Sequence, residues 1–164
     1  RITVLENMLL GAEDRRDTSL TRFLVDSRGA RRRERRLAGE AMELLEEFGL
    51  DHLAQEFASV LSGGQHKLLG LARSLMMHPS ILLLDEPAAG INPTLIGEIV
   101  DRLLHMRERG ITLLVIEHNI RFLERIADRV MVMAQGSILA SGTMEEIRQH
   151  QDVLDAYLGH SAMG

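Results

Sequence analysis

The chain has 164 residues, 45% of them hydrophobic and 26% charged, with a formal net charge of −5 at pH 7, the make-up of one ordinary soluble globular domain. No apolar run approaches the roughly 18 residues that a membrane span needs, and Arg1-Ile2-Thr3-Val4-Leu5-Glu6 has no signal-peptide layout. The absence of cysteine excludes disulfides and thiolate chemistry and fits a reducing compartment, while the acidic balance and scarce aromatics argue against general nucleic-acid binding.

Thr3-Val4-Leu5-Glu6 has the pattern of a capping box and predicts a short helix through about Gly11. Glu13 to Gly29 is polar and mixed, and reads as a loop. Arg31 to Phe48 reads as a helix that places Leu37, Ala41, Leu44, Leu45 and Phe48 on one face and is closed by Gly49. Its first turns carry Arg31-Arg32-Arg33-Glu34-Arg35-Arg36. Positive charge there opposes the helix macrodipole, so local helix stability does not explain the run. A solvated helix start and a contact with anionic lipid headgroups are the two readings.

Ser62-Gly63-Gly64-Gln65 is a second capping box, opening a helix to about Met77 with Leu68, Leu71, Ala72 and Leu75 inward and Pro79 beyond its end. Ile81 to Leu84 is a continuous apolar run, expected of a strand covered on both faces. Asn92-Pro93 is an N-cap followed by proline, so a helix is expected from Pro93 to about Arg109, ended by Gly110. Ile111 to Ile116 reads as a second buried strand, and Asn119 to Ala127 as a helix. Arg129–Ala134 and Ser137–Ala140 flank Gln135-Gly136 as a hairpin. Thr143-Met144-Glu145-Glu146 caps a C-terminal helical tail. Met76, Met77, Met131 and Met133 read as core filler.

Strand, helix and strand from Ile81 to Ile116 make a βαβ unit with parallel strands. One strand ends in Asp85-Glu86, the other in Glu117-His118, and open parallel sheets bind ligands beyond the carboxyl ends of their strands. The glycines at 63 and 64 sit at a helix N-terminus, where free backbone amides favour a phosphate. Asp85 suits the coordination shell of Mg²⁺, through water. Glu86 suits a general base that polarises an attacking water. A lone histidine at a strand end is more often structural; beside the Asp85-Glu86 edge His118 suits a hydrogen bond to a γ-phosphate or the holding of a water in line. Glu117 is expected to point to the opposite face and takes no role. A phosphate-binding lysine loop needs Lys after glycines and before Ser or Thr. Every basic residue except Lys67 is an arginine, and Lys67 lies inside a predicted helix, so no such loop is present in this sequence.

These strings resemble the ATP-binding subunits of ABC transporters. Leu61 to Gln65 looks like the family's signature, Ile81 to Glu86 like Walker B with the catalytic glutamate, Ala89-Gly90-Ile91-Asn92 like the D-loop, and His118 like the switch histidine. Thr3 to Asn7, Asp85 to Pro93, Ile116-Glu117-His118 and Asp155-Ala156-Tyr157-Leu158-Gly159 look like the branched-chain amino acid branch. Urea transporters and lipopolysaccharide exporters share parts of these strings. His66-Lys67 departs from the Gln or Arg pair that often follows the signature. The family's Walker A loop and Q-loop precede the segment that Arg1 to Val4 resembles, so the chain looks like the C-terminal two-thirds of such a subunit.

The resemblance implies an α/β, P-loop NTPase-like ABC ATPase domain: a helical and signature part over about 1–78, then the Walker B and switch-histidine part of the parallel-sheet core over about 79–164. It implies ATP and Mg²⁺ as ligands. By resemblance, Ser62, Gly63, Gly64 and Gln65 serve a partner's ATP in trans, whereas Asp85, Glu86 and His118 serve the chain's own side. The implied partners are a second ATP-binding subunit, transmembrane permease subunits and, indirectly, an extracytoplasmic substrate-binding protein, with no nucleic acid. The implied location is the cytoplasmic face of the cell membrane. The leading expectation is an importer's energy-coupling subunit that does not hydrolyse ATP by itself. The alternatives are an ABC-type ATPase of DNA repair or ribosomes, and a non-catalytic partner that presents only its signature. Loss of the Walker A strand, beside the strand leading to His118, is expected to leave an unpaired apolar edge.

Overall fold

The structure is a computed structural model that describes residues 2–12 and 27–154. It divides into two compact units, Arg1–Ile116 and Glu117–Gly164. The expected loop over Glu13 to Gly29 falls largely, and the Asp155–Gly159 string wholly, outside the described residues.

The first unit opens with helix α1 (Val4–Gly11), whose N-terminus is closed by the expected capping box. The Thr3 N–H donates to Glu6 Oε2 at 2.7 Å, and the Glu6 N–H donates to Thr3 Oγ1 at 3.1 Å. The same end is stitched to a later loop, because Val4 N–H donates to the Glu56 carbonyl and Leu5 N–H to that of Ala54. Helix α2 (Ser27–Glu47) begins four residues earlier than the sequence suggests. Its Ala41, Leu44 and Leu45, with Phe48 just beyond, are buried as predicted, whereas Arg31, Arg32, Arg35 and Arg36 are exposed. Gly49 takes a φ of +68° and turns the chain out of the helix. Two short 3₁₀ turns, Asp51–Leu53 and Ala58–Val60, lead to helix α3 (Gly63–Leu75). Helices α1, α2 and α3 pack on one another around Val4, Met8, Ala41, Leu45 and Ala72, all out of contact with solvent.

Strand β1 (Ile81–Asp85), helix α4 (Pro93–Glu108) and strand β2 (Thr112–Ile116) form the βαβ unit. The strands are parallel, with Ile81 beside Thr112 and Asp85 beside Ile116. Among the described residues neither strand pairs with any other. Helix α4 buries Ile99, Val100, Leu103 and Met106, and it packs against β2.

Here two expectations are corrected. Ile111 to Ile116, expected as a second buried strand, has no buried residue. The apolar run Ile81 to Leu84 is not covered on both faces. Leu82 is buried and Leu84 half-buried, but Ile81 is 57% and Leu83 70% exposed; across the ladder Leu114 is 57% and Ile116 64% exposed. The register brings these four side chains to one face. The reason is that a continuous apolar strand reports two faces suited to burial, while the crossover helix of a βαβ unit covers one.

The second unit contains helix α5 (Ile120–Ile126), the hairpin of β3 (Val130–Ala134) and β4 (Ser137–Gly142), and helix α6 (Met144–Gln149). The two-residue turn Gln135-Gly136 has φ of +48° and +78°, the left-handed pair that suits a tight hairpin. Ala140, Ile147 and Val153 form its core, with Val130 and Val132 packed against them. The methionine expectation holds for Met76 and fails for Met77, Met131 and Met133, which are exposed. Met77 lies past the end of α3. Met131 and Met133 alternate with the inward valines of β3, and strand alternation turns them outward.

Candidate functional site

The turn before α3 is built by local hydrogen bonding. Leu61 is buried and anchors the approach. Ser62 is extended, at φ −64° and ψ 162°. Its N–H donates to Gln65 Oε1 at 2.9 Å, and the Gln65 N–H donates to Ser62 Oγ at 3.3 Å. The box satisfies the Gln65 amide and leaves those of Gly63 and Gly64 at the helix end, where backbone donors and the macrodipole favour an anion. Gly63 is exposed, and nothing lies within 4 Å of where its Cβ would be. Gly64 is different, because a Cβ there would run into the Leu95 side chain at the start of α4.

Asp85 is the last residue of β1 and is exposed, as is Glu86 after it. Glu86 continues the ladder by one rung, its N–H donating to the Ile116 carbonyl at 2.9 Å. It then turns sharply, with a φ of +47°, a left-handed conformation that is uncommon for a residue with a long side chain. The Ala89 N–H donates back to the Glu86 carbonyl at 3.1 Å, closing a tight turn. Pro87 and Ala88 are buried beneath it. Gly90 has a φ of +68°, Ile91 is half-buried, and Asn92 caps α4 by accepting the Thr94 N–H at 2.7 Å.

The two turns are joined by one side chain. Lys67, in the second turn of α3, donates from Nζ to the carbonyl oxygens of Glu86 at 2.8 Å and Pro87 at 3.1 Å. Beside it lies a cleft of about 280 Å³ lined by Lys67, Leu71, Ser74, Leu82, Asp85 and Pro87, among others. Thus Ser62–Gln65, Asp85–Glu86 and Ala89–Asn92 all belong to the first unit, connected through Lys67 and through the Gly64–Leu95 approach.

His118 belongs to the second unit, where its ring is largely exposed. The preceding Glu117 is not idle. Its side chain is fully withdrawn from solvent, and its Oε2 accepts the N–H of His118 at 3.0 Å and of Asn119 at 3.1 Å. Asn119 in turn caps α5 by accepting the Phe122 N–H. Glu117 therefore shapes the turn that carries His118, which corrects the expectation that it has no role. Its position immediately before a His-Asn cap was the available signal. For Lys67 the signal was its being the sole lysine; for Leu95 the sequence held none.

Among the described residues, no group of three or more acidic or histidine side chains is assembled that could hold a metal ion. Asp85, an exposed carboxylate at the strand end with exposed Glu86 beside it, is a donor that fits Mg²⁺ carried mainly by phosphate and water, not a dedicated protein cage. No helix among the described residues is long and apolar enough to cross a membrane.

This arrangement matches known proteins along its length. The family model described as ABC transporter matches residues 1–89, and one described as branched-chain amino acid ATP-binding cassette transporter matches residues 137–162. The chain is 38% identical over 161 residues to the high-affinity branched-chain amino acid transport ATP-binding protein BraF of Pseudomonas aeruginosa, covering 98% of this chain and 63% of that protein. It is 36% identical over 159 residues to the probable branched-chain amino acid transport ATP-binding protein LivG of Archaeoglobus fulgidus, covering 97% of this chain and 61% of that one. A solved nucleotide-free ATP-binding cassette from an ABC transporter superposes with a TM-score of 0.78 at 34% identity, over 95% of this chain and 62% of that one. The chain thus spans less than two-thirds of the length of the relatives it matches. A phosphate-suited glycine turn and an acidic strand end in one α/β unit, with the family model running through both, place this chain in the ABC transporter family.

Proposed function

We propose that this chain carries the signature and catalytic residues of the energy-coupling ATP-binding subunit of an ABC importer, with branched-chain amino acids as the transported class. The observation that carries the reading is the Lys67-bridged pair of turns, Ser62–Gln65 and Asp85–Glu86. The match of residues 137–162 to the branched-chain model and the names of the relatives support the substrate class.

In this reading Ser62, Gly63, Gly64 and Gln65 offer backbone amides and a helix N-terminus to the γ-phosphate of ATP held by a second ATP-binding subunit. Asp85 and Glu86 serve the other nucleotide. Asp85 orients the water shell of Mg²⁺, which supplies charge neutralisation at the phosphates when bound. Glu86 accepts a proton from the attacking water, and His118 donates a hydrogen bond to the γ-phosphate. Ala89 to Asn92 form the D-loop against the partner. The subunit works peripherally on the inner membrane face with permease subunits, and indirectly with an extracytoplasmic substrate-binding protein.

These 164 residues contain no lysine loop to hold ATP on the Glu86 side. The purified chain therefore shows no ATP turnover, and turnover by it that disappears in Glu86→Gln would overturn this reading. In an assembled transporter carrying these residues, Glu86→Gln lowers ATP hydrolysis by about 10²- to 10⁴-fold and stops uptake of labelled leucine. Uptake of a different solute with leucine ignored would overturn the substrate assignment.

A further inference from the structure

We infer that Lys67 is a positioning residue that pins the backbone of the Glu86 turn to the signature helix, so that occupancy of the Ser62–Gln65 turn is transmitted to Glu86 of the same chain. The inference rests on the roles proposed above for those two turns.

The backbone of Glu86 is held from three sides. Its N–H donates to Ile116, and its carbonyl accepts the Ala89 N–H; both contacts arise within the βαβ unit. The third comes from elsewhere: the Lys67 ammonium, reaching from α3 to the carbonyls of Glu86 and Pro87. A charged donor shared by two adjacent carbonyls makes a stronger tie than a neutral one. It acts at a strained point of the backbone, since Glu86 occupies the left-handed region at φ +47° and needs surrounding contacts to stay there.

Lys67 is also well placed to report on the signature. It follows Ser62 by five residues, about 7.5 Å along the helix axis, with the capping box between them keeping that segment helical. A rigid shift of the helix end toward or away from a phosphate moves the root of the Lys67 side chain with it. Lys67 is half-buried and lines the cleft beside Leu82 and Asp85, so its reach is guided by packing. Two nucleotide sites, one at the signature and one at Glu86, thereby gain a direct link within one subunit. The Lys67 side chain can be altered without touching either turn, which makes the coupling testable.

The experiment is amide hydrogen exchange on the full chain. Lys67→Met keeps the apolar stem and removes the donor, and should speed exchange of the Glu86 to Gly90 amides by about tenfold or more. Lys67→Arg restores a charged donor and should return these rates to within about threefold of the unaltered chain. Arg73→Met removes a different tie of the same helix, the 2.9 Å bond to Asn7 Oδ1, and should leave the Glu86 turn unchanged. Unchanged rates in Lys67→Met, or equal acceleration in Arg73→Met, would overturn the positioning role. A second arm adds an intact ATP-binding subunit of a branched-chain amino acid transporter, loaded with ATP. Exchange at Glu86 to Gly90 should slow in the unaltered chain but not in Lys67→Met, although both bind the partner. Equal slowing in both overturns the coupling. Failure of the unaltered chain to bind the partner overturns the signature reading instead, and leaves the first arm to decide the role of Lys67.

Discussion

At the scale of single residues, two glycines of one motif do different work. Gly63 faces open space, and Gly64 leaves space for Leu95. Gly64→Ala would push a methyl group into the Leu95 side chain, and overpacking of this kind costs about 1–3 kcal/mol. Because the clash is with the flexible end of one side chain, Leu95→Ala in the same molecule should return part of that loss. Urea unfolding of the two single variants and the double variant checks this; strictly additive losses would show that the two residues do not meet. Glu86 is a residue-scale case of another kind. A residue with a long side chain at φ +47° is held by Lys67, Ile116 and Ala89, and strain of this kind concentrates at functional turns.

Among the elements, the hairpin offers the cleanest test of local chemistry. Both central residues of its turn have positive φ, but only Gly136 is suited to that region. Asparagine is several-fold enriched there, equivalent to about 1 kcal/mol or less. Gln135→Asn should therefore raise the stability of the second unit by up to about that amount, read as a higher urea midpoint at unchanged slope. A lower midpoint would show that the Gln135 side chain contributes to the hairpin. Helix α3 shows the same agreement of local rules: its N-cap box, its inward Leu68, Leu71, Ala72 and Leu75, and its stop before Pro79 all follow from the order of residues. Helix α2 is less regular in this sense, since it carries exposed arginines near its N-terminus and Glu43, Glu46 and Glu47 near its C-terminus, the reverse of what the macrodipole favours. Its buried face of Ala41, Leu44, Leu45 and Phe48 outweighs that, as tertiary packing supplies most helical stability in proteins.

For the whole molecule, the open face of the β1–β2 sheet dominates. Ile81, Leu83, Leu114 and Ile116 lie together and exposed, and two strands with an apolar face are too little sheet to be stable without cover. Exposed sheet surfaces of this kind recruit other chains. In sedimentation velocity the chain should associate increasingly with concentration, and Leu83→Lys should reduce that association. A monomer that is independent of concentration and melts cooperatively would contradict this.

The order of the α-helices and strands, the three capping boxes and the hairpin turn were legible in the sequence because each depends on residues close together in the chain, and the family was legible because its short motifs follow one another in order; the two 3₁₀ turns were not. The roles drawn from the sequence for Asp85, Glu86 and His118 rest on strand ends that the structure reproduces. Three things were decided only in three dimensions. Lys67 meets the Glu86 and Pro87 carbonyls across nineteen and twenty residues of sequence. Leu95 crowds Gly64 from another helix. Leu83 and Met133, apolar in sequence, face outward because a strand's pattern tells which residues share a face, and only the packed neighbours tell whether that face is covered.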